Sequence, residues 1–314
     1  MADPTGVATI STTYAGNLAT PFVAPAILSA DTIANGYISV LENVRHKAVL
    51  KKFAGGKIAA RTCEFTLPTS GQLALSDVVL TTSQLQVNEQ LCNYTLAKDW
   101  AAEQMRGASA GAPADYEAFI SQYVSEITSA DIENNIWAGD YSLDGSAAAV
   151  HTSFPGILSL VVAASPAKEI VSAAVLSSSV ILARINAVVT GAPAAIQGQP
   201  ETKLYMSRAT KQLYFTALAG TAELTFHAAE AANFYNGYEI YTPAGFPNDV
   251  LLLGQVSNFY FGCNVFTDET EARIIDLTAT TGDAVTRVAL LFDAGVQVVD
   301  HDSYSVDRYE VPAP

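Results

Sequence analysis

Positive charge is scarce in this sequence. Its 314 residues include 16 Lys and Arg against 31 Asp and Glu, which gives a net charge of −15. A protein that binds nucleic acid through a basic face needs clustered Lys and Arg to neutralise phosphates. The composition therefore excludes that class of protein, although it allows a protein that surrounds DNA without binding a particular sequence.

Cysteine and long apolar runs are also scarce. The three cysteines, Cys63, Cys92 and Cys263, are an odd number with no CxxC or Cys/His spacing, so we expect buried free thiols and neither a disulfide framework nor a zinc site. No run approaches the roughly 18 apolar residues of a membrane span, and the first residues lack the features of a signal peptide. We expect a protein that is made in the cytosol and does not bind a membrane.

Three short motifs resemble functional sites, but each lacks a decisive feature. The run Gly107–Gly111 fits the G-x-S-x-G pattern around Ser109, yet it follows polar, helix-like residues where a buried strand is required. Asp140–Gly145 begins like a calcium loop, but His151 stands where that loop needs a bidentate glutamate. Gly55–Lys57 lacks the other residues of a phosphate-binding loop. We therefore predict no catalytic residue, no cofactor and no metal, and a protein that is not an enzyme.

The most regular pattern, between Asp115 and Gly139, predicts one long amphipathic helix. Apolar residues recur at the spacing that places them on one buried face: Tyr116, Phe119, Ile120, Tyr123, Val124 and Ile127. Asp115 is a candidate N-cap and Gly139 a candidate stop. The opposite face is predicted to be acidic, with Glu117, Glu126, Asp131 and Glu133. Few basic residues lie near these acids in the helix, so this face needs a basic partner from elsewhere.

A basic segment precedes the acidic helix. Between positions 41 and 61 there is a single acid, Glu42, and the basic residues are Arg45, Lys47, Lys51, Lys52, Lys57 and Arg61. Opposite charges steer and align the association of copies of one chain. We predict inter-subunit contacts between this segment and Glu117, Glu126 and Glu133. Intramolecular ion pairs, or solvated faces without a partner, explain the same segregation of charge.

The remaining patterns predict an α+β chain. An arm rich in Ala, Thr and Ser precedes alternating segments at 61–67 and 85–94, which predict a long two-stranded hairpin. Further helices are predicted at 178–190 and 208–219. Strands are predicted at 202–206, 238–241, 250–254, 258–261, 272–277, 286–292 and 296–299.

Several short runs follow the long helix in a distinctive order. They are IENNIWAG at 132–139, FPGIL at 154–158, KLYMS at 203–207, GYEI at 237–240, GFP at 245–247, LLG at 252–254, NFYFG at 258–262 and RVALLFDAGVQ at 287–297. Together with the arm, the extended segment and the helix, they resemble the major capsid proteins of tailed double-stranded DNA phages, which have the Hong Kong 97-type fold. The resemblance spans nearly the whole chain.

This resemblance implies a division of the chain and a structural role. It implies an N-terminal arm and lead-in at 1–49, an extended loop at 50–83, a peripheral domain with a spine helix at 84–160 and 256–314, and an axial domain at 161–255. It also implies pentamers and hexamers that close into an icosahedral shell around packaged double-stranded DNA. The implied location is the virion capsid, after assembly in the host cytoplasm.

The implied partners are other copies of the chain, a portal and decoration proteins. No coiled-coil-like region precedes the arm, so we expect a separate scaffolding protein. Two other functions stay open: an encapsulin-type nanocompartment shell, which uses the same geometry, and a soluble hydrolase that uses Ser109. A tail-tube protein is disfavoured because tubes are mostly β-structure.

Overall fold

The computed structural model describes ten stretches of the chain. They are residues 11–15, 30–54, 74–92, 116–141, 151–164, 169–172, 175–220, 233–264, 271–277 and 285–309. The α-helices in these stretches are α1 (Asp31–Ala34), α2 (Tyr116–Ala138), α3 (Ile157–Ala163), α4 (Ile181–Gly191) and α5 (Arg208–Gly220). The long helix α2 is confirmed to within one residue at each end. No helix in the described stretches is long and apolar enough to cross a membrane.

The strands form two six-stranded sheets and one hairpin. In chain order they are β1 (Ser11–Ala15), β2 (Ser39–Leu41), β3 (Lys47–Ala54), β4 (Ala74–Thr81), β5 (Ser83–Cys92), β6 (Glu169–Ser172), β7 (Thr202–Met206), β8 (Phe234–Tyr235), β9 (Tyr238–Tyr241), β10 (Val250–Gln255), β11 (Phe259–Asn264), β12 (Glu271–Asp276), β13 (Val285–Val298) and β14 (Tyr304–Tyr309). The predicted mixture of helices and strands is confirmed.

The first sheet is organised by β13, a strand of 14 residues. Strands β5, β12 and β11 each pair with β13. The outer strands are β1, which pairs with β12, and β2, which pairs with β11. Val288, Leu290 and Phe292 of β13 are buried in the same core as α2 and α3, because alternate residues of a strand face the same side. The prediction of two separate strands at 286–292 and 296–299 is wrong, since β13 runs through both without a break.

The long hairpin is present, but its strands differ from those predicted. Strand β3 pairs with β4, and no part of the predicted segment 85–94 takes part in that pairing. Most of that segment is β5, which instead pairs with β13 along its whole length. The other predicted segment, 61–67, lies outside the described residues. The alternation of Leu85, Val87 and Leu91 thus reflects packing against the main core rather than a projecting hairpin.

The second sheet has the order β6-β14-β10-β7-β9-β8 and a core on each face. Val250 and Leu252 of β10 belong to the core shared with α2, whereas Leu251 and Leu253 face α4 and α5. A strand covered on both faces has no polar alternation, which explains the continuous apolar run of β10. The predicted helices at 178–190 and 208–219 correspond to α4 and α5.

Candidate assembly surfaces

The hairpin β3–β4 carries an exposed apolar strip. Val49 lies opposite Val79 and Phe53 opposite Leu75, and these four side chains are between 44% and 69% exposed. They share one face of the hairpin because alternate residues of a strand point the same way. Exposed apolar clusters of this kind mark interaction surfaces in soluble proteins. We call these four residues the hairpin strip.

The basic residues predicted to contact other subunits are distributed over both faces of this hairpin and its lead-in. Arg45, Lys47 and Lys51 are exposed, and Lys47 and Lys51 lie on the same face as the hairpin strip. Lys52 points to the opposite face, where its Nζ lies 2.5 Å from Asp300 Oδ1. Lys52 is therefore paired within the subunit, as the intramolecular alternative predicts. The other two candidates, Lys57 and Arg61, lie outside the described residues.

The Lys52 ion pair ties the hairpin to the turn between β13 and β14. Asp300 also accepts hydrogen bonds from the Asp302 N–H at 2.9 Å and the Ser303 hydroxyl at 2.5 Å. Burial raises the pKa of Asp300, but these donors and the Lys52 ammonium outweigh it and hold the pKa below its ordinary value. The carboxylate is thus ionised and paired at neutral pH.

Two glycines in the first sheet form a notch that seats the root of the hairpin. Gly262 of β11 lies opposite Gly295 of β13. A Cβ on Gly295 would lie 2.4 Å from the Thr81 carbonyl oxygen, and one on Gly262 would lie 2.4 Å from the Leu80 side chain. A side chain at Gly295 would therefore displace the end of β4, and one at Gly262 would displace the Leu80 side chain. The Thr82 N–H completes the root by donating to the His46 carbonyl at 2.9 Å.

A groove of about 760 Å³ lies between α2 and β5. Its apolar lining includes Tyr123 and Ile127 of α2, which are 45% and 57% exposed. The prediction that these two residues lie on a buried face is wrong, because the buried side of α2 runs through Val124, Thr128 and Ile132, and Tyr123 and Ile127 lie beside it in the groove. The exposed acids Glu89 and Asp131 also line this groove.

The acidic residues predicted on α2 have three different outcomes. Glu126 is exposed, and the Gln122 side chain donates to it at 3.2 Å. The side chain of Glu117 lies outside the described part of the structure. Glu133 is 3% exposed, so its predicted position on an exposed acidic face is wrong. Glu126 and Glu133 are seven positions apart, close to two helical turns, so they lie on nearly the same side of α2. The loop at 243–246 and the segment around Thr32 cover Glu133 but not Glu126.

Glu133 is the centre of a buried polar junction. Its Oε2 accepts the Thr32 N–H at 2.8 Å, and its Oε1 accepts the Thr32 hydroxyl at 2.5 Å and the Gly245 N–H at 3.3 Å. The same Thr32 oxygen accepts the Trp137 indole N–H at 2.6 Å. Burial raises the pKa of Glu133, although the three donors partly offset that shift. The junction joins the segment around Thr32, the helix α2 and the loop at 243–246 of the second sheet.

Sequence reasoning missed the hairpin strip and the role of Glu133. The alternation of Val49, Lys51 and Phe53 was a usable signal for the strip, because it places apolar and basic side chains on one face. No local pattern marks Glu133, since its donors come from Thr32 and Gly245, about 100 residues away on either side.

The remaining sequence predictions concern Ser109 and the cysteines. Ser109 and Cys63 lie outside the described residues. Cys263 is buried, and burial raises the pKa of its thiol to about 12. Cys92 is exposed, so the prediction of a buried thiol is wrong there. Within the described stretches, no three His, Cys, Asp or Glu residues are grouped so that they could hold a metal ion.

The sequence matches no protein-family model and no curated protein. Its structure, however, is similar to solved capsid structures over nearly its whole length. The satellite phage P4 procapsid including the size determination (Sid) protein gives a TM-score of 0.65 at 13% identity, over 98% of this chain and 94% of that one. The capsid of an empty GTA particle gives 0.56 at 13% identity, over 99% and 96%. A structure from Gordonia phage Cozz gives 0.53 at 14% identity, over 89% and 86%. This chain has the fold of tailed-phage capsid proteins.

Proposed function

We propose that this protein is a major capsid protein of the Hong Kong 97 type. It assembles as pentamers and hexamers into an icosahedral shell that encloses packaged double-stranded DNA, and it has no enzymatic role. The fold, similar to a procapsid and a capsid over 98% and 99% of the chain, supports this proposal. In this role α2 is the spine helix, the second sheet with α4 and α5 is the axial domain, and β3–β4 is the extended loop.

The observation that carries the proposal is an apolar hairpin face that no described residue of the subunit covers. A two-stranded hairpin is marginally stable alone, and the strip adds exposed apolar surface to it. Packing this hairpin face against another surface would stabilise the hairpin, because it would bury the apolar side chains. The groove between α2 and β5 is likewise open among the described residues, with Tyr123 and Ile127 exposed. Every copy carries both surfaces, so the hairpin strip of one copy can occupy the groove of the next.

Charge favours the same pairing. Lys47 and Lys51 flank the hairpin strip, whereas Glu89 and Asp131 line the groove. Glu126 adds a third acid on the exposed side of α2. Opposite charges at the rim of an apolar contact fix its register and speed encounter. This keeps the predicted contact between the basic segment and α2, with Glu133 removed from it.

The size of the contact suits cooperative closure of a shell. Each strip residue is already about half covered, so burying the rest yields on the order of 1 kcal/mol per side chain, or about 4 kcal/mol per hairpin. A free energy of about 4 kcal/mol corresponds to a dissociation constant near 1 mM, too weak for a stable pair. A subunit in a closed shell makes this contact twice, once with its hairpin and once with its groove.

The charge of the protein suits a container for DNA. The net charge is −15, and the basic residues that flank the hairpin strip are used in contacts between subunits. A wall without clustered Lys and Arg does not hold DNA by its phosphates. DNA can therefore move along the inside of the shell as it is packaged.

Electron microscopy of the expressed protein tests the proposal, together with a scaffolding protein if one is needed. We expect closed icosahedral particles, and particles from infected cells should contain nuclease-protected DNA. Protein cargo in place of DNA would indicate the nanocompartment instead. A protein that stays monomeric at every concentration and salt tried, with and without scaffold, would refute the shell.

Two exposed phenylalanines provide a matched pair for the hairpin contact. Phe53→Ser removes the most exposed residue of the strip, and Phe234→Ser makes the same change at the edge of the second sheet, where Phe234 is 50% exposed. We expect Phe53→Ser to reduce particle yield at least tenfold more than Phe234→Ser, with both subunits folded by circular dichroism. Equal yields from the two variants would show that the hairpin strip is not an assembly contact.

A further inference from the structure

The first sheet has a second face, on the side away from its core. Alternate residues of β13 point into the core, as Leu290 does, and the residues between them point the other way. Residues opposite one another in an antiparallel pair share a face, so β5 and β12 also contribute to this side. We call this surface the arginine face: β13 supplies Arg287, Ala289 and Leu291, β12 supplies Arg273, and β5 supplies Gln86, Asn88 and Gln90.

A cavity of about 180 Å³ lies on the arginine face. Ala289 is directly opposite Asn88 on one side and Arg273 on the other, and its methyl group leaves room between these longer side chains. A water molecule takes up about 30 Å³ in the liquid, so the cavity has room for a carboxylate group and several waters. The lining residues are Gln86, Arg273, Ala289, Leu290 and Leu291.

A second arginine lies next to the cavity. Arg287 is two positions before Ala289 on the same face, and it is a diagonal neighbour of Arg273 across the two strands, at about 7–8 Å. The Nε atom of Arg287 is buried, and no described residue accepts a hydrogen bond from it. A buried donor without a partner is costly, so an acceptor bound beside Arg287 would stabilise the face. Guanidinium groups bind carboxylates through paired hydrogen bonds, which makes a carboxylate a fitting acceptor here.

The rest of the arginine face suits a polypeptide better than DNA. Gln86, Asn88 and Gln90 are exposed, and each amide offers both a donor and an acceptor, as the peptide groups of an extended segment do. DNA presents a phosphate about every 3.4 Å along each strand and needs clustered Lys and Arg. The described part of this face has two arginines, and Asp293 of β13 lies on the same side and would repel phosphates.

We propose that the arginine face binds an acidic segment of a separate partner protein, with one carboxylate held in the cavity by Arg273, Arg287 and the Gln86 amide. The groove that we assign to the hairpin of a neighbouring copy lies between β5 and α2, on the core side of the sheet. Contact between copies through that groove therefore leaves the arginine face available to another protein. The inference goes beyond the shell function and does not depend on it, because its first test uses the unassembled subunit.

Calorimetric titration of the unassembled subunit tests the binding. The probe is a synthetic peptide in which Asp alternates with Ser, and the matched control is the same peptide with Asn in place of Asp. We expect the acidic peptide to bind at least tenfold more tightly than the neutral one, because bonds to an ionised carboxylate are about twice as strong as neutral bonds. No preference for the acidic peptide would overturn the proposal.

Three variants locate the bound carboxylate. Arg273→Gln and Arg287→Gln should each weaken binding of the acidic peptide about tenfold or more. Arg208→Gln, which removes an exposed arginine at the start of α5, should change it less than about twofold. Equal losses in all three variants would show attraction by overall charge and no site on this face.

A fourth variant separates the cavity from the charge. Ala289→Leu fills the space between the flanking side chains and leaves both arginines in place, so it should weaken binding about tenfold. Circular dichroism checks that each variant is folded. Unchanged affinity in Ala289→Leu would show that the carboxylate does not enter the cavity.

Two further titrations decide the nature of the partner. A short DNA duplex that binds more tightly than the acidic peptide would overturn the proposal in favour of nucleic acid. Assembled particles should bind the acidic peptide as the subunit does, and loss of binding in particles would show that a neighbouring copy covers the face, which rules out a separate partner. If no particles form, the shell function is refuted, and the subunit titrations still decide the binding site.

Discussion

The buried junction around Glu133 allows a quantitative test of what holds the lead-in to the long helix. Replacing Thr32 by valine removes one oxygen atom and nearly preserves shape and β-branching. The hydroxyl donates to Glu133 Oε1, and its oxygen accepts the Trp137 indole N–H. Thr32 is 0% exposed, so water cannot take over either bond.

The expected loss follows from the two bonds. A hydrogen bond to an ionised group contributes about 1.5–3 kcal/mol, and a buried donor left without a partner costs about 1–3 kcal/mol. Thr32→Val should therefore lower the free energy of unfolding by about 2.5–6 kcal/mol. Because folded domains are stable by about 5–15 kcal/mol, this is a large fraction of the total. The backbone N–H of position 32 still reaches Glu133 Oε2, so the junction is weakened and not abolished.

Urea unfolding of the unassembled subunit measures this loss, with tryptophan fluorescence as the signal. Trp137 is one of the two tryptophans in the chain and lies in the junction. The matched control is Thr216→Val, where an exposed hydroxyl donates to the Gln212 carbonyl at 3.0 Å and its loss should cost less than about 0.5 kcal/mol. A loss below about 1 kcal/mol for Thr32→Val would refute the view that this hydroxyl holds the junction together.

Three further predictions concern the junction, the hairpin tie and the notch. Because burial raises the pKa of Glu133, its folded carboxyl keeps a proton at higher pH than in the unfolded chain, so its contribution to stability is full below about pH 4.5 and declines as pH rises. Glu133→Gln should remove that decline from the pH profile of the unfolding free energy, and an unchanged profile would contradict the assignment. The pKa of Asp300 is lowered in the folded chain. Its ion pair with Lys52 therefore stabilises the fold fully above pH 3.8, the ordinary pKa of an aspartate, and this contribution is lost as the pH falls through the folded pKa. At pH 7, Asp300→Asn should accelerate hydrogen exchange in β3 and β4 but not in β10; equal protection in variant and wild type would show that the tie does not hold the hairpin. Gly295→Ala should cost about 1–3 kcal/mol, because its Cβ would lie 2.4 Å from the Thr81 oxygen, whereas Gly191→Ala, with no atom nearer than 3.6 Å, should be tolerated in the same unfolding assay.

Local patterns predicted the elements whose cause is local. The helices α2, α4 and α5 and the strands β7 and β9 depend largely on neighbouring residues, and they were predicted within three residues of their observed bounds. The pairing of strands depends on contacts that are distant in sequence. The segment 85–94 alternates as a hairpin strand would, yet β13 provides its partner about 200 residues later. The predicted break between 292 and 296 includes Gly295, but this glycine lies within β13 and leaves room for the end of β4.

The candidate surfaces show the same division. Charge segregation identified the basic segment, and Lys47 and Lys51 do lie exposed beside the hairpin strip. Sequence could not separate Lys51 from Lys52, although the two point to opposite faces and Lys52 is paired with Asp300. Nor could it separate Glu126 from Glu133, because exposure on a helix is decided by what packs against it.

The single residue between β4 and β5 has a mechanical consequence. Thr82 separates a strand that forms the hairpin from one that lines the groove, and its side chain is 5% exposed. A contact that tilts the hairpin therefore also shifts β5, which lines the groove of the same subunit. In the proposed shell, occupation of a hairpin by one neighbour should therefore alter the affinity of the groove of the same subunit for another neighbour.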